Sequence, residues 1–504
     1  MNVGAMLETV AGRYGGKTAI VLGDRKLSYA ELDEASNKVA NTLIGIGINK
    51  DDRVAMVLTN SPEFVIIYFG IAKAGGIAVP LSTGYRVNEL VSLFDNCQPE
   101  VLVTESPFLK PLVPALPRFK SIKHVINVSS GYEDQFLSYR EIIATGSPNK
   151  VEVGLGPEDI AIIAYTGGPT NRPRGVTLSH RCLVTETAIS GDGLKQTDKD
   201  IVLLFALPMY HMFGLVAVLL AALYKGSTVV IVPGTGLSIS TFMAAIEREK
   251  GTMFLGVPYI FSLAVNIAEK QGIKNDLSSL RLCCSAGAPL RIDTIQRFKQ
   301  HYGLDIIDFW GLTEAVCQVT CPSIDGTGKL GSVGKALPGW EVKITDGNAK
   351  ELPPNQPGEI IVRGPTMKCY YNNPQATAEA IRNGWLYTGD IGRVDEDGSL
   401  FILGRKKEMI IVKGQNIYPS DIEDVLYTHP KVAEAAVVGI PDELRGEMVR
   451  AVISLKKGKV TTEEEIRRFC QKYMADYKVP KQVIFIDSLP KTATGKIHKA
   501  NLQD

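Results

Sequence analysis

The sequence predicts an α/β fold with mainly parallel sheets, followed by an all-β segment and a small C-terminal region of mixed α and β structure. Short apolar runs, for example 54–58 and 100–104, alternate with segments of helical periodicity as far as residue 310. Such repeated strand–helix units are typical of sheets whose two faces are covered by helices. From about Gly331 the pattern changes to short strands separated by Asp-Gly, Pro-Pro and Pro-Gly turns, which predicts hairpins.

Capping signals define two helices in the N-terminal part. Ser28 and Glu31 have the spacing of a capping box, in which each side chain accepts a hydrogen bond from the other residue's backbone N–H. Ser61 followed by Pro62 predicts a second helix start, because proline in the first turn lacks only an N–H that would be unpaired anyway. The first helix is expected to bury Leu32, Ala35, Val39 and Leu43. The predicted strands lie at 17–22, 54–58, 76–81, 100–104, 227–232, 253–258, 281–285 and 306–310, with a further helix at 87–96.

The last hundred residues are predicted to form a small separate domain. The charged run 404–408 is its expected linker to the all-β segment, whose strands are predicted at 340–344, 359–363 and 400–403. A helix at 422–427 and a strand at 435–440 follow. Thr462 and Glu465 have capping-box spacing. The helix that they begin is expected to bury Ile466, Phe469, Cys470 and Tyr473.

Composition excludes several classes of protein. A chain of 504 residues is too long for one core and suggests two or three domains. Its net charge of +1 gives no overall field toward nucleic acid or an acidic membrane, so no nucleic-acid partner is expected. The 8 cysteines include no Cys-x-x-Cys pair and no zinc-ligand spacing, which favours reduced thiols in a cytoplasmic protein.

No targeting or membrane-spanning segment is predicted. The first sixteen residues lack a basic region followed by an apolar run, so no signal peptide is expected. The nearly uncharged segment 201–224 is long enough to span a bilayer. However, Pro208 and His211 interrupt it, which favours a buried strand, a turn at Pro208 and a buried helix from about Gly214.

A glycine-rich stretch at 165–176 is the first candidate for a binding site. It follows the apolar run 160–165 and contains glycines, hydroxyls, prolines and two arginines. Small residues let backbone N–H groups approach an anion, and hydroxyl and guanidinium groups add donors. The stretch matches neither the P-loop nor the dinucleotide-binding fingerprint. On its own it therefore fits a phosphate cradle or an ordinary surface loop.

Five motifs lie along the chain, at 165–176, 309–314, 384–390, 404–410 and 490–497. In this order and at these distances they resemble the adenylate-forming superfamily, which contains acyl- and aryl-CoA synthetases, carrier-protein adenylation domains and firefly luciferase. The resemblance covers nearly the whole chain and is strongest to fatty acyl-CoA synthetases. It implies a large N-terminal domain, 1–403, of two α/β subdomains and a β-barrel (about 331–403), with a small mobile C-terminal domain, 404–504.

The family's chemistry has two halves, and both are implied here. A carboxylate attacks the α-phosphate of ATP and forms an acyl-adenylate and pyrophosphate. A thiol then displaces AMP and forms a thioester. ATP, Mg²⁺ and coenzyme A are the implied cofactors, and a small-molecule carboxylic acid is the implied substrate. A homodimer is a possible assembly.

The resemblance implies roles for residues of the N-terminal domain. Glu314 would be the metal-associated carboxylate, with the Thr313 hydroxyl beside it. Trp310, followed by Gly311, stands where the family usually has tyrosine and would pack on adenine, and the turn at Gly287 and Ala288 would line the other face of the base. The residues assigned to the ATP phosphates are Thr166, Gly167, Gly168, Thr170 and Arg174.

Further roles fall on the region around and after the linker. Asp390 would accept hydrogen bonds from the ribose hydroxyls, and Arg405 would help to hold the ribose. Lys407 would be the residue about which the C-terminal domain turns. Lys496 would be the adenylation lysine, because a long flexible ammonium can reach the carboxylate and the α-phosphate. Lys413 and Gly414 resemble the loop that lines the thiol tunnel.

The expected substrate is an apolar acid. His211, in the segment 208–214, matches the residue that opens the acyl pocket in CoA ligases, although a satisfied core histidine is the alternative. This segment has no carboxylate to pair with the ammonium of an amino acid, and an unpaired buried ammonium is costly. Met209, Met212, Phe213, Val316 and Cys317 indicate an apolar acyl group. Ala288 stands where the benzoate-type ligases of the family commonly have glutamate, and the resemblance therefore favours an aliphatic fatty acid over an aryl acid. CoA is the expected thiol, with a free-standing carrier protein and luciferase-like oxygenation as alternatives.

The phosphate loop departs from the family's usual Thr-Ser-Gly-Thr-Thr-Gly-x-Pro-Lys-Gly. Gly167 replaces serine, Pro169 replaces threonine, Asn171 replaces glycine and Arg174 replaces lysine. Pro169 removes a hydroxyl and a backbone donor, and Arg174 keeps the charge with a different geometry. Two hypotheses follow, which are an active ligase with an altered grip on ATP, and a nucleotide- or acyl-binding relative that no longer adenylates.

Overall fold

The computed structural model describes residues 1–130, 135–166, 174–233, 238–412, 415–442, 446–476, 478–491 and 497–503. The chain forms two compact units. The predicted domain boundary between residues 403 and 404 stays a prediction. The first unit consists of Met1–Gly328, Ala336–Glu341 and Arg363–Leu386, and the second of Lys329–Lys335, Val342–Val362 and Tyr387–Asp504.

The helices carry labels in chain order. They are α1 (Val3–Tyr14), α2 (Tyr29–Gly45), α3 (Pro62–Ala74), α4 (Val87–Cys97), α5 (Ser106–Leu112), α6 (Tyr139–Thr145), α7 (His180–Gly193), α8 (Ala221–Tyr224), α9 (Ile239–Glu249), α10 (Pro258–Gln271), α11 (Ile292–Tyr302), α12 (Pro374–Ala380), α13 (Pro419–Thr428) and α14 (Glu463–Gln471). A π-helix spans Phe213–Leu220, and 3₁₀ turns span Val113–Arg118, Thr313–Ala315, Lys406–Glu408 and Lys499–Leu502.

The strands are also numbered in chain order. Those of the N-terminal part are β1 (Thr18–Leu22), β2 (Arg25–Ser28), β3 (Arg53–Val57), β4 (Ile77–Pro80), β5 (Val101–Thr104), β6 (His124–Asn127), β7 (Leu137–Ser138), β8 (Ile160–Thr166), β9 (Arg174–Ser179), β10 (Ile201–Leu204), β11 (Thr228–Ile231), β12 (Met253–Gly256), β13 (Leu282–Ser285) and β14 (Ile306–Asp308). The later ones are β15 (Thr320–Cys321), β16 (Lys335–Ala336), β17 (Glu341–Thr345), β18 (Gly358–Arg363), β19 (Cys369–Tyr370), β20 (Ile381–Arg382), β21 (Trp385–Val394), β22 (Leu400–Arg405), β23 (Ile410–Val412), β24 (Gln415–Ile417), β25 (Val432–Asp442), β26 (Gly446–Leu455) and β27 (Gln482–Phe485).

The first unit contains an eight-stranded sheet with the order β19-β9-β8-β4-β3-β5-β6-β7. Its strands from β8 to β7 pair in parallel, whereas β9 pairs antiparallel with β8 and with β19. The central strands are apolar along their length because helices cover both faces. One consequence matters for the site: β9, which follows the glycine-rich stretch, lies between β8 and the later strand β19.

A seven-stranded sheet in the same unit has the order β14-β13-β12-β10-β11-β1-β2. All of its pairs are parallel except β1 with β2. Its core contains a chain of aromatic rings whose successive centroids lie 4.3 to 5.3 Å apart. The rings belong to Phe205, Phe242, Phe254, Phe261 and Phe298. These two sheets confirm the predicted α/β class with mainly parallel sheets.

The second unit contains the predicted hairpin strands and the C-terminal α+β structure. β17, β18, β21 and β22 are neighbours in one sheet, and β21 pairs antiparallel with β22. In a second sheet, β25 and β26 form a long antiparallel pair and β27 joins β26 in parallel. Helix α13 contributes Ile422 and Leu426, and α14 contributes Ile466 and Cys470, to one buried cluster on this sheet.

The predicted capping signals give three outcomes. Ser28 and Glu31 form the full capping box, and Ser61 accepts from the Phe64 N–H at the start of α3. Thr462 caps α14 by accepting from the Glu465 N–H, but the Glu465 carboxylate is paired with Lys431, at 2.8 Å, so the second half of that box was a wrong prediction.

Three predicted core positions differ from the structure. Tyr473 is 63% exposed, because α14 ends at Gln471 and the next turn leaves the apolar face. Ala35 and Phe469 are partly buried, whereas their predicted core companions Leu32, Val39, Leu43, Ile466 and Cys470 are buried.

The apolar segment 201–224 folds as predicted into a strand, a turn and a helix. β10 is followed by a turn at Pro208, and the π-helix Phe213–Leu220 continues into α8. Gly214 is required there, since a Cβ at this position would lie 2.4 Å from the Pro208 carbonyl oxygen. Within the described ranges, none of the helices has the length and apolar character needed to cross a membrane.

Candidate active site

The two described ends of the glycine-rich stretch are adjacent in the sheet. Thr166 ends β8 and Arg174 begins β9, and the two residues are antiparallel partners. The Thr166 hydroxyl donates to the Arg174 carbonyl at 3.5 Å. The predicted phosphate-binding residues Gly167, Gly168 and Thr170, together with Pro169 and Asn171, lie outside the described residues.

Arg174, Tyr370 and Glu314 are in contact in the first unit. β19 places Tyr370 beside Val176 of β9, and the exposed Arg174 guanidinium lies 5.5 Å from the centre of the Tyr370 ring. The Tyr370 hydroxyl donates to Oε1 of Glu314 at 2.8 Å. Burial, followed by the Glu314 carboxylate, raises the pKa of Tyr370 well above its usual value, so this hydroxyl is a donor at neutral pH. Tyr370 was not among the predicted site residues.

Glu314 lies in the 3₁₀ turn Thr313–Ala315, next to Thr313 as predicted. Its backbone carbonyl accepts from the Met367 N–H at 2.7 Å. Glu314 is therefore anchored through its backbone to the segment before β19 and through its carboxylate to Tyr370 of β19. A carboxylate held in this way presents hard oxygen atoms of the type that Mg²⁺ binds.

Trp310 and Gly311 follow β14, which ends at Asp308. Trp310 is buried, and its carbonyl accepts from the N–H groups of Val319 and Thr320. A Cβ on Gly311 would lie 1.6 Å from the Cys317 carbonyl oxygen, so only glycine fits this position. The chain from Gly311 to Gln318 therefore forms a closed loop, here named the 311–318 loop, whose two ends are in backbone contact.

Gly287 and Ala288 follow β13, the parallel neighbour of β14. Gly287 has φ +84°, a left-handed conformation that favours glycine. β13 and β14 are parallel neighbours, so both strands end at the same edge of the sheet. The Gly287 turn and Trp310 therefore follow the ends of two adjacent strands. Ligands of open α/β sheets commonly bind beyond the carboxyl ends of the strands.

Asp308, at the end of β14, is a functional candidate that sequence reasoning missed. It is the register partner of Ser285. Burial raises the pKa of Asp308 to about 8. Its Oδ1 atom and the neighbouring Ser285 hydroxyl are both inaccessible to water, and the Ser285 hydroxyl only partly offsets the effect of burial on the Asp308 pKa. The signal was a lone acidic residue in the apolar run 306–310.

His211 lies in the turn between β10 and the π-helix. Its side chain is exposed, which makes the core-histidine alternative wrong, and its Nδ1 accepts from the Phe213 N–H at 3.2 Å. Asn60 anchors the turn by donating to the Leu207 carbonyl and accepting from the Met209 N–H. The gating role of His211 stays a prediction.

The five predicted acyl-pocket side chains are buried in the first unit. Phe213 packs edge-on against Phe309, with ring centroids 5.3 Å apart, so the start of the π-helix contacts the run that ends at Trp310. The pocket residues are Met209, Met212, Phe213, Val316 and Cys317. Burial raises the pKa of the Cys317 thiol, with the neighbouring Glu186 carboxylate as a second cause. This thiol is therefore protonated and unreactive in the folded protein.

Asp390 and Arg405 are paired in the second unit. They are antiparallel register partners in β21 and β22, and Arg405 Nε lies 2.6 Å from Asp390 Oδ1. The Asp390 N–H donates to the Thr388 hydroxyl, and Asp390 itself is buried. The two residues assigned to ribose thus form one charged pair.

The remaining predicted residues concern the C-terminal region. Lys407 lies in the 3₁₀ turn after β22 and is exposed. Lys413 and Gly414 lie outside the described residues, and so does Lys496. Lys491 and Ile497, the described residues nearest to Lys496 on either side, form an antiparallel bridge.

Comparison with known families gives two matches in sequence order. The model described as AMP-binding enzyme matches residues 7–371. The model described as AMP-binding enzyme C-terminal domain matches residues 421–496.

Individual proteins match over almost the whole chain. The long-chain-fatty-acid–CoA ligase of Bacillus subtilis (strain 168) is 34% identical over 530 residues, which cover 99% of this chain and 93% of that protein. The indoleacetate–CoA ligase of Aromatoleum aromaticum is 34% identical over 513 residues, which cover 100% and 98%. The crystal structure of ATP-bound MatB from Rhodopseudomonas palustris superposes with a TM-score of 0.92 at 31% identity, covering 100% of this chain and 98% of that one.

Proposed function

The chain belongs to the AMP-binding enzyme family, and we propose that it is an ATP-dependent acid:CoA ligase acting on an apolar carboxylic acid, with a fatty acid as the favoured substrate. The observation that carries the proposal is the anchored carboxylate of Glu314, held by Tyr370 beside Arg174. A protein that only bound a nucleotide would have little use for a carboxylate anchored in this way, or for the lysine at 496.

In the first half-reaction, the substrate carboxylate attacks the α-phosphate of ATP and pyrophosphate leaves. Such phosphoryl chemistry asks the protein mainly for positioning and for neutralisation of charge. Trp310 would pack on adenine, the turn at Gly287 and Ala288 would line the other face, and Arg174 would neutralise phosphate charge. Asp308 would accept a hydrogen bond from an amino group of the base.

A magnesium ion fits the residues present. Mg²⁺ bound with a nucleotide takes one or two protein carboxylates, and phosphate oxygens and water supply its other ligands. Glu314 is such a single carboxylate, and the described ranges contain no cluster of three or more His, Cys, Asp or Glu side chains that could form an all-protein metal cage. When bound, the ion would screen the charge of the phosphates.

The second half-reaction transfers the acyl group to a thiol with release of AMP. Asp390 and Arg405 would hold the ribose, and Lys496 would act earlier, in the first half-reaction, by stabilising the negative charge that develops during adenylation. Lys413 and Gly414 would line the path of the thiol. CoA is the proposed thiol, which agrees with the names of both relatives above. A free-standing carrier protein is the alternative acceptor.

The acid itself is proposed from the side chains near the site. Met212, Phe213 and Val316 are apolar and buried, and none of them could pair with a charged group on the substrate. This composition favours an aliphatic chain. An aryl acid is the alternative, because one relative of equal identity is named for indoleacetate.

Pyrophosphate–ATP exchange measured over a panel of acids tests the proposal. The panel would contain hexadecanoate, octanoate, benzoate, indoleacetate and an α-amino acid. We expect exchange with a fatty acid, dependence on Mg²⁺, and no exchange by the Lys496→Ala variant. Nucleotide binding without exchange for any acid would instead support the alternative, a binding protein that no longer adenylates.

A further inference from the structure

Glu186 is a fully buried carboxyl group in the middle of α7, outside the site residues described so far. Its Oε1 accepts from the Gln318 backbone N–H at 2.8 Å and from the Ser190 hydroxyl at 3.1 Å. Its Oε2 accepts from the Trp340 Nε1–H at 3.0 Å. Three donors thus converge on two oxygens. Burial raises the pKa of Glu186 to about 8, although the three hydrogen bonds act to lower it. Above that pH Glu186 is an ionised carboxylate, which only accepts hydrogen bonds and therefore matches this arrangement.

The backbone that Glu186 holds is strained. Val316 has φ +61° and ψ −64°, and the Cys317 N–H donates to the Ala315 carbonyl at 2.6 Å, which closes a γ-turn around Val316. This type of γ-turn is rare, and a β-branched residue at positive φ is an outlier. Such strain persists only where the surroundings determine the conformation.

Gln318 lies two residues after Val316, directly after the γ-turn, and ends the 311–318 loop. At the other end of the loop, Gly311 fits against the Cys317 carbonyl only because it lacks a Cβ. The loop is therefore closed by backbone contact at Gly311 and is held from outside by the Glu186 carboxylate. Above the pKa of Glu186 this acceptor is ionised, and hydrogen bonds to an ionised acceptor are stronger than neutral ones, which suits a contact that has to hold a strained turn.

We propose that Glu186 is a positioning residue that holds the γ-turn at Val316, and with it the acid-contacting wall formed by Val316 and Cys317. The inference rests on the proposed function for the identity of that wall, whereas the contact between Glu186 and the loop is independent of it. Glu186 touches neither ATP nor acid in this account. It acts through the Gln318 N–H.

The first test uses Glu186→Gln, which keeps the shape but presents an amide N–H₂ to one of the three donors. Alkylation of Cys317 by iodoacetamide at about pH 9, where Glu186 is ionised, followed by mass spectrometry of the free full-length protein, reports whether the loop has loosened. We expect Cys317 in this variant to react at least tenfold faster than in the wild type. Ser190→Ala is the matched control, because it removes only a donor that does not belong to the loop, and its rate should stay within twofold.

The second test asks whether strain at Val316 is what Glu186 opposes. Adding Val316→Gly to Glu186→Gln should restore slow alkylation of Cys317, because glycine adopts positive φ without strain. Adding Val316→Ala removes side-chain volume but keeps the strain, so this variant should not restore slow alkylation of Cys317. If Glu186→Gln fails to fold, recovery of a folded protein with Val316→Gly but not with Val316→Ala is the expected result.

The proposal is overturned if Glu186→Gln alkylates like the wild type, if Ser190→Ala matches Glu186→Gln, or if glycine and alanine at 316 behave alike. Absence of a folded protein in every Glu186→Gln background would also overturn it. In an active enzyme, the ratio of kcat/KM for hexadecanoate over benzoate should change at least fivefold in Glu186→Gln. Alkylation needs no turnover. A protein that is inactive with every acid would therefore contradict the proposed function but would leave the alkylation result for Glu186 valid.

Discussion

The Tyr370 hydroxyl donates a hydrogen bond to the Glu314 carboxylate at 2.8 Å, although 56 residues separate them in the chain. The contact exists because β19 pairs with β9 and Met367 binds the Glu314 backbone. The same tyrosine ring lies under the Arg174 guanidinium. Glu314, proposed to bind the metal, and Arg174, proposed to bind phosphate, thus both contact the uncharged side chain of Tyr370.

Tyr370→Phe should weaken the use of Mg²⁺·ATP, because it removes the donor to Glu314 and keeps the ring under Arg174. A hydrogen bond to a charged group contributes about 1.5–3 kcal/mol, so kcat/KM for Mg²⁺·ATP should fall about tenfold or more. Tyr371→Phe is the matched control and should change this value less than twofold. Equal kinetics for Tyr370→Phe and the wild type would show that the contact does not position Glu314.

Gly311→Ala should destabilise the first unit strongly, since the new Cβ would lie 1.6 Å from the Cys317 carbonyl oxygen. Overpacking against backbone costs up to about 3 kcal/mol in the free energy of unfolding, and the midpoint of thermal unfolding reports it. Gly12→Ala, at an exposed position of α1 with no atom within 4 Å of the added Cβ, is the control. It should stabilise by about 0.5–1 kcal/mol. Similar midpoints for the two variants would contradict the geometry at Gly311.

His180 should make stability depend on pH. Burial lowers its pKa to about 4, while the usual value is 6.5, and its Nδ1 accepts from the Val3 N–H. Between these values the unfolded chain binds the proton more strongly, so stability falls as pH decreases from 6.5 to 4. The loss amounts to about 3 kcal/mol. Denaturant unfolding at pH 7 and pH 4.5 should show a smaller difference for His180→Gln than for the wild type, whereas parallel curves would refute this assignment.

Restoring the family residues in the phosphate loop should improve the use of ATP. Pro169→Thr returns a hydroxyl and a backbone donor, and Asn171→Gly returns freedom at positive φ. The double variant should show a lower KM for ATP in pyrophosphate exchange, with the KM for the acid unchanged. Unchanged or worse kinetics would mean that the loop is adapted to its present sequence.

The features that the sequence predicted best are those set by local patterns. The capping box at Ser28, the strands of both sheets and the adjacency of Thr313 and Glu314 depend on residues close in the chain. Glu465 was assigned to a cap, but it pairs with Lys431, 34 residues away, which capping spacing cannot reveal.

Long-range contacts were missed for the same reason. Tyr370 reaches Glu314 through the pairing of a two-residue strand, and Glu186 reaches Gln318 across 132 residues. Neither residue stands in a motif, so only the fold identifies them. The γ-turn at Val316 could not be predicted from the sequence either, because valine is a residue that favours extended structure.

The most direct test of the proposed ligase is the stoichiometry of its products. The purified chain would be incubated with ATP, Mg²⁺, CoA and the best acid from the exchange panel, and the products separated by chromatography. We expect equal amounts of AMP and acyl-CoA, with neither formed when the acid is omitted. Formation of ADP, or AMP release without any thioester, would contradict this expectation.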